Sequence, residues 1–179
     1  MSFKIILNTN SWNQQIVWKH SNVAMKILTT SLPRNLLITQ KSLLSVTYIV
    51  TNKSKNKVVA YFSLAADKLS VNDFASNSEF NRFRKRRFVH EKRLRSYPAV
   101  KLCRLGVDIS MKGTGLGSII LSLIEFLCTQ GNRIGCRFIT VDAYKTATPF
   151  YIKNGFQPLS KGTSNCFTEP LFMDLHSML

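Results

Sequence analysis

Three glycines at alternate positions form the segment of this sequence best suited to chemistry. The segment SMKGTGLGS (110–118) places Gly113, Gly115 and Gly117 between a strand-like run and a long apolar run. Glycine lets the backbone turn tightly and come within hydrogen-bonding distance of a ligand. The first turn of a helix carries amide groups without an internal partner and a partial positive charge, which together suit a diphosphate. The segment is therefore either an anion-binding loop or a strand-to-helix turn that merely needs glycine.

Several other kinds of site do not fit the sequence. The GxGxxG fingerprint fails because Ser118 occupies the last glycine position, and no Gly-Lys-Ser/Thr sequence is present for a P-loop. The three histidines lack metal-ligand spacing, and we predict no metal. The four cysteines lack CxxC pairing, and we interpret them as reduced core residues: Cys103, Cys128, Cys136 and Cys166.

Helix and strand signals follow one another along the chain. SVTYIVT (45–51) and VVAYFSLAA (58–66) predict a hairpin, because β-branched and aromatic runs flank the turn-forming NKSKNK. KHSNVAMKILTTSL (19–32) fits an amphipathic helix, and no function is assigned to residues 1–44. The second half alternates strands and helices, which predicts an α/β protein: AVKLCRLGVDI (99–109), GLGSIILSLIEFLC (115–128), RFITVDA (137–143), TATPFYIKNGF (146–156) and FTEPLFMDL (167–175).

A helix is predicted just before the strand at 99–109. Ser76 and Glu79 have the spacing of a capping box, which predicts the start of the helix, and Pro98 limits its length. Its apolar residues form a narrow stripe: Phe80, Phe83, Phe88 and Leu94.

Basic residues crowd the same region of a chain with a net charge of +16. Lysines and arginines fill much of residues 82–104, where Glu91 is the single acid. Such a cluster, interleaved with aromatic residues, could neutralise several phosphates of a nucleic acid. A solvated helix face or a surface for an acidic partner protein would explain it equally well.

Two motifs in this order resemble the GNAT superfamily of N-acetyltransferases. The family's acyl-CoA signature, Q/R-x-x-G-x-G/A after its fourth strand, is matched at residues 112–117, with lysine at the first position. TATPFYIKNGF resembles the family's A-x-x-F-Y-x-x-x-G-F segment, so the resemblance covers residues 99–175. We expect a single domain over residues 1–179, because a chain of this length with 45% hydrophobic residues fits one domain with a full core. The implied GNAT fold has a mixed, mostly antiparallel central sheet flanked by helices, with an acyl-CoA cleft at the splayed fourth and fifth strands.

The resemblance also implies roles for individual residues, with acetyl-CoA as the acyl donor. Leu105, Gly106 and Val107 would bond the pantetheine arm, and the Val107 N–H would face the thioester oxygen as an oxyanion donor. Tyr151 would act as the general acid, and Tyr144 stands where many relatives have an asparagine that touches the pantetheine. The pyrophosphate would be held by one loop: Lys112, Gly113, Thr114, Gly115, Leu116, Gly117 and Ser118.

A general base is harder to identify, and this favours a weakly basic acceptor. Asp108 and Asp142 lie near the implied site, but either carboxylate could instead cap a helix or pair with Arg104. At pH 7 an α-amine with a pKa of about 7.7 is roughly one-sixth neutral, whereas a lysine amine is neutral in about one part in 2,500. A site without a base therefore favours an α-amine or the amine of an aminoacyl ester.

The basic segment further resembles one GNAT branch, the toxins that acetylate aminoacyl-tRNA and are held by an antitoxin. This implies tRNA and an acidic antitoxin as partners, and nucleic-acid-binding roles for Arg84, Arg86, Arg87, Arg93 and Arg95. We expect a cytoplasmic protein, because neither a signal peptide nor an apolar run of membrane-spanning length is present. A homodimer is left open. The alternatives are a protein or small-molecule N-acetyltransferase, or a non-catalytic module that binds RNA or an acidic partner.

Overall fold

Strands predominate in the part of the chain that the structure describes. The computed structural model describes residues 15–17, 23–27, 42–52, 57–88, 94–130, 134–159 and 167–178. The strands are β1 Gln15–Val17, β2 Val23–Ile27, β3 Val46–Asn52, β4 Lys57–Ser70, β5 Ser96–Val107, β6 Phe138–Tyr144, β7 Gln157–Pro158 and β8 Thr168–Asp174. The α-helices are α1 Asn77–Arg87, α2 Leu116–Thr129 and α3 Thr148–Lys153. Short 3-10 turns occupy Val71–Asp73, Ile109–Met111 and Leu175–Met178.

The strands pair in the order β1-β2-β3-β4-β5-β6-β8-β7. Pairing is antiparallel between β1 and β2, β2 and β3, β3 and β4, β6 and β8, and β7 and β8. β5 and β6 pair in parallel, with Ala99 opposite Phe138. A parallel pair needs a long crossover, and the connection that contains α2 supplies it. The predicted mixed, mostly antiparallel sheet is thus confirmed, whereas the acyl-CoA cleft stays a prediction.

The first strands contain one confirmed prediction and one wrong prediction. β3 and β4 form the expected hairpin, with Val46 opposite Leu64 and Ile49 opposite Tyr61. Residues 23–27, predicted within an amphipathic helix, instead form β2 and pair with β3. Periodicity alone cannot assign so short an apolar run, and an antiparallel neighbour favours the strand. The rest of that predicted helix lies outside the described residues.

The chain is divided into two compact units, each assembled from two stretches of sequence. The first unit comprises Met1–Ala65 and Cys103–Ile119, and the second comprises Ala66–Leu102 and Ile120–Leu179. In the first unit, Ile49 and Phe62 are almost fully buried, and the hydroxyls of Thr47 and Ser63 share a buried hydrogen bond of 2.9 Å. A single domain over the whole chain stays a prediction.

An aromatic cluster forms a core of the second unit and holds α1 in place. Its members are Leu69, Phe74, Phe80, Phe83, Tyr97, Ala99, Phe138 and Phe172. As predicted, α1 begins after Ser76, whose hydroxyl accepts a 3.1 Å hydrogen bond from the Glu79 N–H. Such a cap contributes about 1 kcal/mol. Phe83 contacts the rings of Phe138 and Phe172, and truncating a buried phenylalanine costs about 3 to 5 kcal/mol. The cluster therefore fixes α1 against β6 and β8.

α1 ends at Arg87, before the last two residues of the apolar stripe that was predicted for it. Phe88 leaves the helical conformation, with φ −128° and ψ 84°, and its N–H bonds to the Arg84 carbonyl at 2.8 Å. Its ring stacks on Tyr97 with 4.1 Å between centroids, which directs the chain out of the helix. Leu94 was expected to continue the stripe, and this prediction is wrong because Leu94 lies beyond the helix and is 45% exposed.

The three cysteines in the described residues are free, as predicted, but they differ in burial. Cys128 is buried in α2 and shares a thiol hydrogen bond with the half-buried Cys136, which precedes β6. Cys103 is exposed, because it alternates along β5 with the buried Leu102. Cys166 lies outside the described residues.

Candidate functional site

Asp108 fixes the turn that follows β5 to the beginning of β4. Its N–H donates to the Val59 carbonyl at 2.8 Å, and its Oδ1 accepts from the Ser110 N–H at 2.9 Å and from the Ser110 hydroxyl at 2.5 Å. Its Oδ2 lies 3.2 Å from Lys57 Nζ. The hydrogen bonds from Ser110, and then the contact with Lys57, lower the pKa of Asp108 to about 2. So weak a base is a poor proton acceptor, and Asp108 serves as a cap with Lys57 as its ion-pair partner.

The glycine segment forms an open loop in the first unit. Gly113 and Gly115 both have φ of 80°, in the left-handed region that favours glycine. A Cβ at either position would meet no heavy atom within 4 Å, so the space above the loop is open. The Thr114 hydroxyl is used inside the loop, where it donates to the Met111 carbonyl at 2.7 Å. The loop therefore offers its backbone, rather than the Thr114 side chain, to a ligand.

α2 begins directly after this loop. The Ile119 N–H makes a helical hydrogen bond to the Gly115 carbonyl at 3.1 Å. The first turn of α2 contains the backbone amides of Leu116, Gly117 and Ser118. A helix provides no backbone carbonyl as an acceptor for the amides of its first turn. The Leu116 side chain is buried, so only its backbone can serve a ligand, whereas Lys112 is exposed at the entrance of the loop. This arrangement suits a diphosphate.

The end of β5 carries a close contact that the sequence did not reveal. A Cβ added to Gly106 would lie 2.4 Å from Cε1 and 2.9 Å from Cζ of Tyr61 in β4. Glycine is therefore required at this position for space, because the Tyr61 ring covers the Gly106 backbone. Leu105 and Gly106 are partly exposed, and Val107 is 37% exposed. The three residues predicted to bond the pantetheine are thus consecutive on one strand, next to the Asp108 turn.

Tyr151 lies in the second unit, on the short helix α3. Its side chain is 7% exposed and contacts the rings of Phe150 and Phe156 at centroid distances of 5.2 and 5.3 Å. Burial raises the pKa of Tyr151 above its ordinary value of 10.0. The phenol therefore keeps its proton at neutral pH and can donate it, although the step to a thiolate becomes more uphill.

Two further predicted positions belong to the same unit. Tyr144 is 69% exposed at the end of β6, so its ring is accessible. Asp142, the other carboxylate considered as a base, forms an ion pair with Lys101 at 2.6 Å. Asp142 is therefore engaged by Lys101, which leaves its carboxylate less suited to serve as a base.

The five predicted nucleic-acid-binding arginines differ in their surroundings. Arg86 and Arg95 are exposed, Arg84 is partly exposed with its guanidinium 5.6 Å from the centre of the Phe80 ring, and Arg93 lies outside the described residues. Arg87 instead donates from Nε to Asp174 at 3.1 Å.

Arg87 and Asp174 belong to a small, partly buried ionic cluster. The Arg87 guanidinium also lies 4.2 Å from the Phe83 ring centre, and burial lowers its pKa despite the nearby carboxylate. Arg137 binds both oxygens of Asp174, at 2.8 and 3.2 Å. The sequence could not single out Arg87, because its neighbours in α1 are of the same type.

Other kinds of site find no support in the described part of the chain. Among residues 42–52, 57–88, 94–130, 134–159 and 167–176, no three His, Cys, Asp or Glu side chains are grouped so that they could hold a metal ion. None of the three α-helices described above is both long and apolar enough to cross a membrane.

Comparison with known proteins establishes the fold. No protein-family profile matches the sequence. The toxin AtaT, solved in complex with acetyl-methionyl-tRNAfMet, is similar with a TM-score of 0.61 and 21% identity over 81% of this chain and 79% of that one. A tyrosine-to-phenylalanine mutant of the toxin AtaT, bound to the C-terminus of the antitoxin AtaR, has a TM-score of 0.62 and 17% identity over 88% of this chain and 96% of that one. A tyrosine-to-phenylalanine mutant of KacT has a TM-score of 0.63 and 19% identity over 81% of this chain and 79% of that one. The chain has the GNAT fold that its motifs predicted.

Proposed function

We propose that this protein is an acetyl-CoA-dependent N-acetyltransferase whose acceptor is the α-amine of an aminoacyl-tRNA. The observation that carries the proposal is the open loop at Gly113 and Gly115, which leads into the first turn of α2. Backbone amides at a helix start are suited to a diphosphate, the group that every CoA thioester carries. Solved structures of the same fold include AtaTR bound with acetyl-CoA and AtaT complexed with acetyl-methionyl-tRNAfMet.

The residues of the chain supply the elements that acetyl transfer requires. The acceptor amine attacks the thioester carbonyl carbon, and the Val107 N–H stabilises the resulting oxyanion. The bond from carbon to sulfur then breaks, and the Tyr151 phenol gives its proton to the departing thiolate. The attacking nitrogen releases its extra proton to water to become the amide, and water returns a proton to the Tyr151 phenolate. Leu105 and Gly106 hold the pantetheine arm, which Tyr144 contacts. The pyrophosphate lies on the loop, with side-chain bonds from Lys112 and Ser118.

The acceptor is inferred from the two carboxylates that were considered as bases, because neither is suited to that role. Asp108 has a pKa of about 2, and Asp142 is paired with Lys101. An amine that is already partly neutral at pH 7 needs no base, and this favours an aminoacyl ester over a lysine side chain. The +16 charge favours a polyanionic acceptor such as tRNA and opposes polyamines.

The basic segment gives this acceptor a surface to bind. We assign tRNA phosphates to Arg84, Arg86, Arg93 and Arg95, and we exclude Arg87 because Asp174 engages it. An acidic antitoxin would complement the same charge, and AtaT is solved with the C-terminus of its antitoxin. Such partners agree with a location in the cytoplasm.

The test is a transfer assay with radiolabelled acetyl-CoA. Wild type, Tyr151→Phe and the control Tyr48→Phe would each receive aminoacylated tRNA, deacylated tRNA, a protein mixture and spermidine. We expect label in aminoacylated tRNA alone, and a loss of about 100-fold in kcat for Tyr151→Phe only. Label in protein or spermidine would keep the enzyme and refute the acceptor. Acetyl-CoA or RNA binding without any label would instead identify a non-catalytic module.

A further inference from the structure

We infer that Asp108 is a positioning residue that sets the affinity for acetyl-CoA by capping the turn before the glycine loop. The inference rests on the proposed function, because it assigns the loop to the CoA pyrophosphate. Asp108 lies between Val107, the last residue of β5, and the 3-10 turn Ile109–Met111. It therefore stands where the strand ends and the loop begins.

Asp108 is bonded through each of its polar groups. Its backbone N–H is tied to Val59 at 2.8 Å, and its carbonyl accepts from the Met111 N–H at 2.9 Å. Its carboxylate receives the Ser110 N–H and hydroxyl on one oxygen and Lys57 on the other. These contacts join the beginning of β4 to the turn from which the loop departs.

Backbone hydrogen bonds connect this turn to the glycine loop. The Lys112 N–H bonds to the Ile109 carbonyl at 3.1 Å, and Thr114 contacts the Met111 carbonyl through both its N–H and its hydroxyl. A series of hydrogen bonds between residues close in sequence thus connects Asp108 with Thr114, which lies between the two left-handed glycines. A ligand that needs several amides at fixed spacing loses affinity when the first turn is free to change shape.

Capping, rather than charge, is the property that matters. The Lys57 side chain is 58% exposed, and an ion pair at such a surface contributes little. The negative charge of the Asp108 carboxylate would by itself repel a diphosphate. Any favourable effect of Asp108 on the ligand must therefore come from its hydrogen bonds. The Ser110 N–H, by contrast, would lose its acceptor within the turn if the side chain were truncated.

The experiment compares variants that separate the cap from the charge. Asp108→Ala removes both, Asp108→Asn keeps an oxygen for the cap, and Lys57→Met removes only the ion pair. Asp73→Ala is the matched control, because Asp73 accepts from the Ser70 N–H and hydroxyl, both at 2.7 Å, beside another 3-10 turn in the second unit. Calorimetry gives the dissociation constants of CoA and acetyl-CoA, and the transfer assay gives KM and kcat.

We expect Asp108→Ala to raise both dissociation constants and the KM for acetyl-CoA about five-fold, with kcat at saturation within about two-fold of wild type. Asp108→Asn, Lys57→Met and Asp73→Ala should bind within about two-fold of wild type, because asparagine is as good a cap as aspartate. Thermal melting checks that each variant is folded. If Asp108→Ala is not, Ser110→Ala takes its place, because it removes one of the two hydrogen bonds that Asp108 Oδ1 accepts from Ser110 and should also raise both dissociation constants.

Three results would overturn the assignment. Unchanged binding by Asp108→Ala would show that the cap does not act on the ligand. Equal weakening in Asp108→Asn and Asp108→Ala would show that charge matters instead of capping. A lower kcat with an unchanged KM would place Asp108 in the chemistry. If wild type itself binds neither CoA nor acetyl-CoA, the proposed function fails first, and this outcome is distinct from the other three.

Discussion

Arg87 and Arg86 are adjacent in α1, yet we predict that replacing them by alanine has opposite consequences. The Arg87 side chain is 21% exposed, bonded to Asp174 at 3.1 Å and packed on the Phe83 ring. Arg86 is exposed. Arg87→Ala should therefore destabilise the protein and spare RNA binding, whereas Arg86→Ala should weaken RNA binding and spare stability.

The magnitudes follow from what each truncation leaves behind. After Arg87→Ala, Asp174 still has both bonds from Arg137. The loss is two hydrogen bonds of the guanidinium, to Asp174 at 3.1 Å and to Gln157 at 3.3 Å, and some packing, about 2 kcal/mol. Asp174→Ala leaves two partly buried guanidinium groups without their carboxylate, and should cost about 3 to 5 kcal/mol. Arg86→Ala should stay within about 0.5 kcal/mol of wild type, as surface substitutions do.

Two measurements test these expectations together. Urea denaturation gives the free energy of unfolding, and tRNA titration at several salt concentrations gives the affinity and its salt slope. Loss of one phosphate contact in Arg86→Ala should lower the salt slope by about 1. Equal destabilisation by Arg87→Ala and Arg86→Ala would show that the contacts of Arg87 with Asp174 and Phe83 do not stabilise the protein. If Arg87→Ala is folded and its salt slope is lower than that of wild type, Arg87 contacts the RNA after all.

Three further predictions concern the loop, the strand and the acid. Gly115→Ala should cost about 1 kcal/mol and weaken acetyl-CoA binding in calorimetry, because φ of 80° is unfavourable for alanine, whereas the control Gly135→Ala should do neither. Gly106→Ala should destabilise by about 1 to 3 kcal/mol in urea denaturation through its clash with Tyr61, and Tyr61→Ala in the same chain should remove part of that cost. Because burial raises the pKa of Tyr151, kcat/KM should rise with pH as the amine loses its proton and show no decline below about pH 10, so a decline near pH 8 would exclude this phenol as the acid.

Local patterns predicted the parts of the fold whose causes are local. The spacing of Ser76 and Glu79 located the start of α1, and the alternating glycines located a loop in which Gly113 and Gly115 do adopt positive φ. Residues 23–27 were misassigned because their strand depends on pairing with β3, which is distant in sequence. A short apolar run does not contain that information.

In the candidate site, too, the sequence could predict contacts between neighbouring residues but not contacts between distant ones. Asp108 and Ser110 form a side-chain-to-backbone turn, and their D-x-S spacing is a signal that could have predicted it. No sequence signal connects Lys57 with Asp108, or Tyr61 with Gly106, because the hairpin and β5 must fold before either pair can meet. Arg87 became distinguishable from Arg86 only when Asp174 was seen beside it.

The division of the chain into two compact units has a consequence for protein synthesis. Each unit is assembled from two stretches that alternate along the chain: Met1–Ala65, Ala66–Leu102, Cys103–Ile119 and Ile120–Leu179. At typical rates of about 5 to 20 residues per second, roughly 2 to 8 s separate the end of the first stretch from the arrival of the third. No nascent chain that stops before β6 contains the second unit in full. A chain that has passed residue 119 contains all of the first unit, including the glycine loop, whereas a chain that stops before Tyr151 lacks the phenol. We therefore expect translation products interrupted between these two points to acquire the loop without the second unit.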